Sequence, residues 1–327
     1  MEQARLLNYS VRDSSTPRAK LKRGSKAKPT LNLGIGEISI AKATELFDRI
    51  IPDDLSHAAT SFVESLKINS ITEKMRRDRH VVIIKRRNVY GEGVADLINL
   101  YFRFAKIGIR YVSKAREWRR WEAKCFKMLN GDCFRALVRD ARTVTEDKLP
   151  GQSLWDHMNA RTLTPRMLQA AAREYRRAHR LHVDEFDDGW SHGDASMPNV
   201  IYDKKTGRAR LIDFEIMHER SLSGKVRHAD DLLVFLLDMV DRVPNREWLP
   251  FAISFLRAYD NVAVMRELSD RLLIPSGLAL IWWNVRTNFA SSGKVKRRLQ
   301  ALEHALQTEG LLLGRQRSHP QEALAFN

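Results

Sequence analysis

The spacing of apolar residues predicts a small β-rich segment followed by a longer helical one. Residues 80–85, His-Val-Val-Ile-Ile-Lys, are dominated by β-branched side chains and predict a strand that ends in lysine. Residues 113–130 carry apolar side chains every three or four positions, which predicts a helix with one buried face and Ser113 as its cap. The fold class is therefore predicted to be α+β. Further helices are predicted at 164–183, 227–240, 248–259, 265–273, 278–289 and 295–306, and further short strands within 61–71, at 134–138 and near 143–145.

Residues 95–112 predict one amphipathic helix. Leu97 and Phe104 belong to its apolar positions, and Arg103, Lys106 and Arg110 interrupt them with positive charge. A helix of this kind either lies in the interface of a membrane or packs on the neighbouring part of the protein. The residues alone leave both interpretations open.

A short β-hairpin is predicted in the second half of the chain. Residues 200–202, Val-Ile-Tyr, and 209–212, Ala-Arg-Leu-Ile, predict its two strands. Residues 203–207, Asp-Lys-Lys-Thr-Gly, are typical of a turn, because glycine readily adopts a positive φ. Asn199 stands directly before the first strand and Asp213 directly after the second. The hairpin is therefore expected to bring an amide and a carboxylate to one edge.

Asp194, Asn199 and Asp213 form the set of side chains that phosphoryl transfer requires. In that chemistry one carboxylate orients the attacking hydroxyl, while an amide and a second carboxylate hold Mg²⁺ on the nucleotide phosphates. Asp194 precedes Asn199 by the five positions that separate the corresponding Asp and Asn in kinases. The spacing therefore indicates a phosphotransferase rather than a surface hairpin with incidental acids.

Lys85 is the predicted partner of the nucleotide phosphates, because a lysine at that strand end can reach them. Glu122 on the following helix is predicted to fix its position, with Glu117 as the alternative. No glycine-rich loop directly precedes this strand, and residues 34–36, Gly-Ile-Gly, lie too far upstream and predict an ordinary turn. Residues 69–70, Asn-Ser, are left as a candidate cover for the phosphates.

Residues 192–194, His-Gly-Asp, and 213–215, Asp-Phe-Glu, resemble the atypical kinase-like families. These are the aminoglycoside and choline phosphotransferases, the RIO-type kinases and the lipopolysaccharide core (Kdo/heptose) kinases. The last are the most similar, because the helix around Glu122 resembles their Arg-Glu-Ala…Leu helix and because they share an apolar and basic insert after the lysine strand. The resemblance implies a bilobal protein-kinase-like fold, with a small β-rich N-terminal lobe and a larger helical C-terminal lobe.

The resemblance also implies the cofactors and the role of each residue. ATP and Mg²⁺, or Mn²⁺, are the implied cofactors, and Asn199 and Asp213 are the implied metal ligands. Asp194 accepts or orients the hydroxyl proton in this scheme, and His192 braces the loop. The implied catalytic residues are Asp194, Lys85, Glu122 and His192, and the implied nucleotide-binding residues are Lys85, Glu146, Asp147, Lys148, Asn199 and Asp213.

Two further implications concern backbone groups. Residues 146–148, followed by Leu149-Pro150-Gly151, resemble the hinge of these families, so their backbone groups are expected to face adenine. Asp230 or Asp231 is expected to brace the catalytic loop through its backbone, as the related segment does in these families. Capping of a helix N-terminus is the alternative role for this pair.

The composition limits the class of partner and the compartment. The 327 residues carry a formal net charge of +16, which attracts nucleotide phosphates, nucleic acid or an anionic bilayer without choosing between them. Cys125 and Cys133 suggest neither a disulfide framework nor a zinc site, so a reducing cytoplasm is expected. Residues 1–28 lack the apolar run of a secretory signal, and no uncharged run is long enough to span a membrane.

Four segments are predicted along the chain. Residues 1–56 form a basic arm and lead-in helix, 57–149 the β-rich lobe, 150–313 the helical lobe and 314–327 a tail. The first thirty residues are rich in Lys and Arg and predict disorder, either without a role or attached electrostatically to anionic lipid. Nucleic acid is an unlikely partner of this arm, because Tyr9 is its single aromatic residue.

Four functional hypotheses follow. The resemblance favours a kinase of a lipopolysaccharide or glycolipid sugar hydroxyl, peripheral at the inner face of a bacterial inner membrane. The same residues also permit a RIO-like Ser/Thr protein kinase. The missing glycine-rich loop permits a pseudokinase scaffold, and the charge alone permits a nucleic-acid-binding protein.

Overall fold

The computed structural model describes residues 68–76 and 80–308, all of which fall in one compact unit. Its N-terminal part is built on an antiparallel sheet in which one strand, residues 143–146, is buried and its neighbour, residues 81–87, is partly buried. Lys85 pairs with Ile71 on one side and Val144 on the other, so it lies on an interior strand. The sheet has the order β1-β2-β5-β4, with β1 Asn69–Met75, β2 Val81–Arg87, β4 Ala136–Val138 and β5 Thr143–Asp147.

Two helices stand between β2 and β4: α1 (Gly91–Phe104) and α2 (Ala115–Asn130). Helical spacing places Trp118, Cys125 and Phe126 on one face of α2, and all three side chains are buried, as predicted for that face. The predicted cap at Ser113 is wrong, since the cap position is Lys114. The Ser113 side chain bonds instead to Asp96.

The prediction of one helix over residues 95–112 is also wrong. Helix α1 ends at Phe104, and the backbone turns through positive φ at Lys106 and Gly108 before β3 (Ile109–Tyr111). β3 pairs with β9 (Ile216–His218). Residues 109–111, which helical spacing assigned to the last turn of the predicted helix, therefore form a strand through this long-range pairing.

The C-terminal part is mainly helical and begins with a small second sheet. The predicted hairpin is confirmed as β7 (Val200–Asp203) and β8 (Arg208–Leu211), with Gly207 at a φ of +68°. β6 (Gln152–Ser153) extends it to three strands. The helices are α3 Leu154–Asn159, α4 Pro165–Ala178, α5 Gly224–Arg242, α6 Asn245–Tyr259, α7 Val262–Ser269, α8 Leu278–Arg286 and α9 Ser292–Thr308.

The core of this part surrounds α5, most of whose residues are buried. Phe235 of α5 stacks on Phe255 of α6 at 4.2 Å between ring centroids, and Trp248 is fully buried nearby in the same core. The predicted α+β class, with a small β-rich part before a larger helical part, is confirmed. The boundaries of the four segments stay predictions, and residues 34–36 and the basic arm lie outside the described residues.

In the described part of the chain, no helix combines the length and the apolar character that crossing a membrane requires. On α1, however, Leu97, Leu100 and Phe104 leave a stripe of apolar side chains exposed to solvent. The opposite face of α1 is packed, since Phe102 meets Trp282 edge to face at 4.7 Å. The packing interpretation thus holds for one face of α1, and the membrane interpretation stays a prediction for the other face, which the described residues leave uncovered.

Candidate active site

The loop that carries Asp194 is hydrogen-bonded to a side chain of α5. The Asp231 carboxylate accepts hydrogen bonds from the backbone N–H groups of His192 (2.7 Å) and Gly193 (2.8 Å) and from His179 Nε2 (3.0 Å). Burial alone raises the pKa of Asp231, but the His179 hydrogen bond and the nearby histidines lower it to about 2. Asp231 therefore braces the loop, as predicted for one of the pair, and the alternative capping role is wrong because α5 begins after Ser223.

His192 joins this loop to the hairpin. Its Nε2 donates to the carbonyl of Ile212 (3.0 Å), and its Nδ1 accepts from the N–H of Asp194 (3.3 Å). The backbone N–H of Ile212 donates in turn to the carbonyl of Asn199 (3.0 Å). Both ring nitrogens are thus occupied by backbone groups, so His192 lies where the predicted bracing role requires it.

Asp194 and Asn199 are in direct contact. Asn199 Nδ2 donates to the Asp194 carbonyl (2.9 Å) and to Asp194 Oδ2 (3.0 Å). Because the amide nitrogen is used in this way, Asn199 Oδ1 remains as an oxygen ligand. Burial raises the pKa of the Asp194 carboxyl; His192 opposes this and Asp213 adds to it.

Lys85 lies among three carboxylates. Its Nζ contacts Glu122 Oε1, Asp213 Oδ1 at 3.2 Å and Glu146 Oε2 at 3.5 Å. Burial lowers the pKa of Lys85, but the three carboxylates together raise it well above its usual value. Burial raises the pKa of the Glu146 carboxyl well above its usual range, and the neighbouring Lys85 ammonium opposes this shift. Asp213, with 28% of its side chain exposed, keeps access to solvent.

Glu122 connects this cluster to the end of the hairpin. One carboxylate oxygen contacts Lys85, and the other accepts the backbone N–H of Phe214 at 2.9 Å. Its side chain is fully buried, whereas the predicted alternative, Glu117, is exposed. The structure therefore brings Glu122, and not Glu117, to Lys85.

Asp213 adopts a φ of +68°, a conformation that is unfavourable for residues other than glycine. Next along the chain, Phe214 is buried against His192 and Trp190. Glu215 then accepts from Asn69 Nδ2 and lies 3.9 Å from Arg87. These contacts fix the backbone on both sides of Asp213, and strained backbone of this kind clusters at functional sites.

The predicted hinge is only partly available to a ligand. The backbone N–H of Asp147 donates to the carbonyl of Arg135 (2.9 Å), and that of Lys148 to Val81 (3.0 Å). The Glu146 side chain points to Lys85. The expectation that all the backbone groups of 146–148 face adenine is therefore wrong for these two N–H groups. The first N–H beyond them, that of Leu149, has no hydrogen-bond partner within residues 68–76 and 80–308.

A second carboxylate of α5 forms an ion pair that the sequence analysis missed. Asp230 receives two hydrogen bonds from the Arg286 guanidinium (3.0 and 2.8 Å) and one from His218 Nε2 (3.2 Å). His218 Nδ1 in turn contacts Ser191 Oγ at 2.9 Å. Nothing in the spacing of these four residues predicts the contact, because Arg286 lies far along the chain on α8.

The donor set suits a hard cation that is also bound by a ligand. Asp213 and Asn199 offer carboxylate and amide oxygens, which Mg²⁺ prefers. Among the described residues, no three His, Cys, Asp or Glu side chains lie close enough together to hold a metal by themselves. Mg²⁺ would thus draw its remaining ligands from phosphate and water, as this ion usually does.

A stacked histidine pair beneath the loop predicts acid sensitivity. His228 and His179 lie 4.0 Å apart between near-parallel rings. Burial and the neighbouring His179 lower the pKa of His228 from 6.5 to about 3. The unfolded chain therefore binds the extra proton between these values, and stability falls as the pH drops through them, by up to about 1.4 kcal/mol per pH unit from this residue. His228→Phe, which keeps a ring but cannot titrate, is expected to flatten the pH dependence of the unfolding free energy.

Urea denaturation at several pH values between 6.5 and 4 measures this effect. His304→Phe, at an exposed position of α9, is the control and should keep the wild-type slope. If the unfolding free energies of wild type and His228→Phe depended on pH with the same slope, the pKa of His228 would not be lowered in the folded chain.

Comparison with known proteins adds distant similarity to solved structures. No family model matches this chain, and no curated protein matches it. Among solved structures the chain is similar to an ethanolamine kinase from Plasmodium vivax, with 11% sequence identity and a TM-score of 0.40. The similarity covers 83% of this chain and 94% of that chain. At this level it carries no argument about activity, for which the side chains described above are the basis.

Proposed function

We propose that the protein is an ATP-dependent phosphotransferase that moves the γ-phosphoryl group to a hydroxyl. The observation that carries the proposal is the buried cluster in which Lys85 contacts Glu122 and Asp213. This cluster joins the lysine strand, helix α2 and the end of the hairpin. Directly before the first strand of the hairpin, the Asn199 amide donates a hydrogen bond to the Asp194 carboxylate. These contacts support the proposal, because phosphoryl transfer uses a lysine, two carboxylates and an amide of this kind.

Each residue has a distinct role in this proposal. Lys85, held by Glu122, binds the α and β phosphates as a positive charge. Asn199 Oδ1 and the Asp213 carboxylate hold Mg²⁺, which when bound neutralises charge on the phosphates. Asp194 accepts or orients the proton of the attacking hydroxyl, and its raised pKa favours proton acceptance. The N–H of Leu149 is the donor to adenine that replaces the occupied N–H groups of Asp147 and Lys148.

The acceptor we propose is a sugar hydroxyl on a lipopolysaccharide or another glycolipid. Two observations support a substrate at a membrane surface: the net charge of +16 and the exposed apolar stripe of Leu97, Leu100 and Phe104. A Ser/Thr hydroxyl of a protein is the second candidate, because the catalytic set is the same for both acceptors. A pseudokinase is the third, since no glycine-rich loop directly precedes β2.

Asp213→Asn tests the proposed chemistry. The variant keeps the shape of the side chain but removes one of the two metal ligands, and we expect ATP turnover to fall by about 10²–10³-fold. Increasing Mg²⁺ should restore part of the loss, because the remaining ligands still bind the ion weakly. Turnover is measured as phosphate transfer from γ-labelled ATP across a magnesium titration.

Asp132→Asn, at an exposed position before β4, is the matched control and should keep wild-type turnover. Label transferred to a total lipid extract supports the glycolipid acceptor, and label transferred to protein supports the second candidate. Mg-ATP binding without transfer to either would identify a pseudokinase. If Asp213→Asn turned over ATP like wild type, the proposed metal site would be wrong.

A further inference from the structure

Helices α4 and α6 pack side by side, and their contacts run along the whole interface. Gln169 Nε2 donates to Ser254 Oγ at 3.0 Å near one end. Tyr175 meets Phe255 edge to face in the middle, with ring centroids 6.3 Å apart. Just past the end of α4, His179 bonds to Tyr259 at 2.8 Å. These contacts join the two helices along the groove that lies between them.

Two cavities of about 540 and 530 Å³ follow this groove. Both are bounded by Arg173, Arg257 and Ala258, so they form one continuous depression. We call it the arginine groove, after the five arginines that line it: Arg173, Arg176, Arg177, Arg180 and Arg257.

The positive charge of the arginine groove is only partly neutralised. Asp260, the single carboxylate along its lining, pairs with Arg176 at 2.8 Å, and Glu174 pairs with Arg177 at 2.6 Å. Arg173 and Arg180 are exposed, and their side chains have no ion pair or hydrogen bond within the described residues. Their guanidinium groups are free to bind a ligand. Guanidinium forms paired, charge-assisted hydrogen bonds with phosphate oxygens.

We propose that the arginine groove binds a compact anion that carries two or three phosphate groups, either free or as the headgroup of a lipid. Arg180 stands seven positions after Arg173 and just past the end of α4, and seven positions of helix span about 10 Å, which is comparable with a short phosphate chain. The lining includes no aromatic side chain on which bases of a single-stranded nucleic acid could stack.

This site is separate from the proposed active site and does not depend on it. Lys85, which is proposed to bind the nucleotide phosphates, lies on β2 in the N-terminal sheet, whereas the arginine groove lies between two C-terminal helices. A ligand here would bind to a chain that had lost its nucleotide site. The two proposals can therefore fail independently.

Isothermal titration calorimetry with inorganic tripolyphosphate, without ATP or Mg²⁺, tests the proposal on the full chain. The triple variant R173A/R180A/R257A is expected to raise the Kd by about tenfold or more and to weaken its salt dependence, because charge-assisted contacts are lost. The control variant R103A/R116A/R266A removes the same charge from exposed helix positions elsewhere and should bind like wild type. The melting temperatures of both variants show whether each remains folded.

Two further arms separate the alternatives. Lys85→Met should bind tripolyphosphate like wild type if the groove is the site. Phosphatidylcholine vesicles with and without a phosphatidylinositol bisphosphate then show whether a lipid headgroup is bound, and tripolyphosphate should release the chain from them. The proposal is overturned if wild type does not bind, if both triple variants lose affinity equally, if only Lys85→Met loses it, or if a short RNA binds the groove more tightly than tripolyphosphate.

Discussion

Replacement of Asp194 by asparagine is expected to lower the rate of phosphoryl transfer by about 10²–10⁴-fold, the usual contribution of a positioned acid or base. Asparagine keeps an oxygen for the contact with Asn199 Nδ2, which is 3.0 Å long in the structure. It cannot accept a proton, however, so the attacking hydroxyl would lose its base. The affinity for ATP should not change, because Asp194 touches neither Lys85 nor its carboxylates within hydrogen-bond distance.

Single-turnover transfer from γ-labelled ATP measures the rate, and equilibrium binding of ATP measures the affinity. Asp132→Asn again serves as the control for a changed charge alone. A variant that transfers phosphate at the wild-type rate would remove Asp194 from the mechanism. A variant that loses ATP binding and rate together would assign it to nucleotide binding instead.

Asp231→Ala is expected to lower the free energy of unfolding by about 3–5 kcal/mol. The substitution leaves the N–H groups of His192 and Gly193 without their acceptor in a fully buried position, and each unsatisfied group costs about 1–3 kcal/mol. It also leaves His179 without its carboxylate partner. The loop that carries Asp194 should loosen at the same time, so this variant should also lose transfer activity. Urea denaturation at neutral pH measures the stability.

Asp241→Ala, near the C-terminal end of the same helix α5, is the matched control. Its side chain is exposed, and within the described part of the chain its ion pair is with Lys294, so its removal should cost less than about 1 kcal/mol. The pH dependence gives a second readout. The pKa of Asp231 is lowered from 3.8 to about 2, so its contribution is complete above 3.8 and is lost as the pH falls toward 2. An alanine variant as stable as wild type would mean that water satisfies the loop backbone.

The parts of the site that are local in the chain could be predicted. Asn199 and Asp213 flank a hairpin whose strands and turn have clear sequence signals, and the pairing of these strands continues to the bond from the Ile212 N–H to the Asn199 carbonyl. The spacing from Asp194 to Asn199 likewise produced a direct contact. Lys85 ends a β-branched run, and Glu122 lies on the buried face of a strongly periodic helix.

The parts that depend on long-range contacts could not be predicted. Local periodicity gives no sign that residues 109–111 pair with β9, and this pairing is what ends the predicted helix early. The ion pair of Asp230 with Arg286 joins two helices whose packing no spacing rule specifies. The helix cap could not be predicted from sequence either, because the Ser113 side chain forms a hydrogen bond with Asp96 and does not cap α2.

The hinge illustrates an intermediate case. Its position at the end of β5 was predicted, but hydrogen bonding within the sheet decides which backbone groups remain for a ligand. The N–H groups of Asp147 and Lys148 donate hydrogen bonds to the backbone carbonyls of Arg135 and Val81, respectively. Strand pairing of this kind depends on register, and register cannot be derived from composition alone.

The contacts around Lys85 have a thermodynamic consequence. Its ammonium is shared between Glu122 and Asp213. Under the proposed function, a triphosphate that attracted the ammonium would weaken its hold on Asp213, and this carboxylate would then be more available to a divalent cation. By linkage, nucleotide and cation would tighten the binding of each other to the same degree. We therefore expect cooperativity between the two ligands to act through the Lys85 amino group.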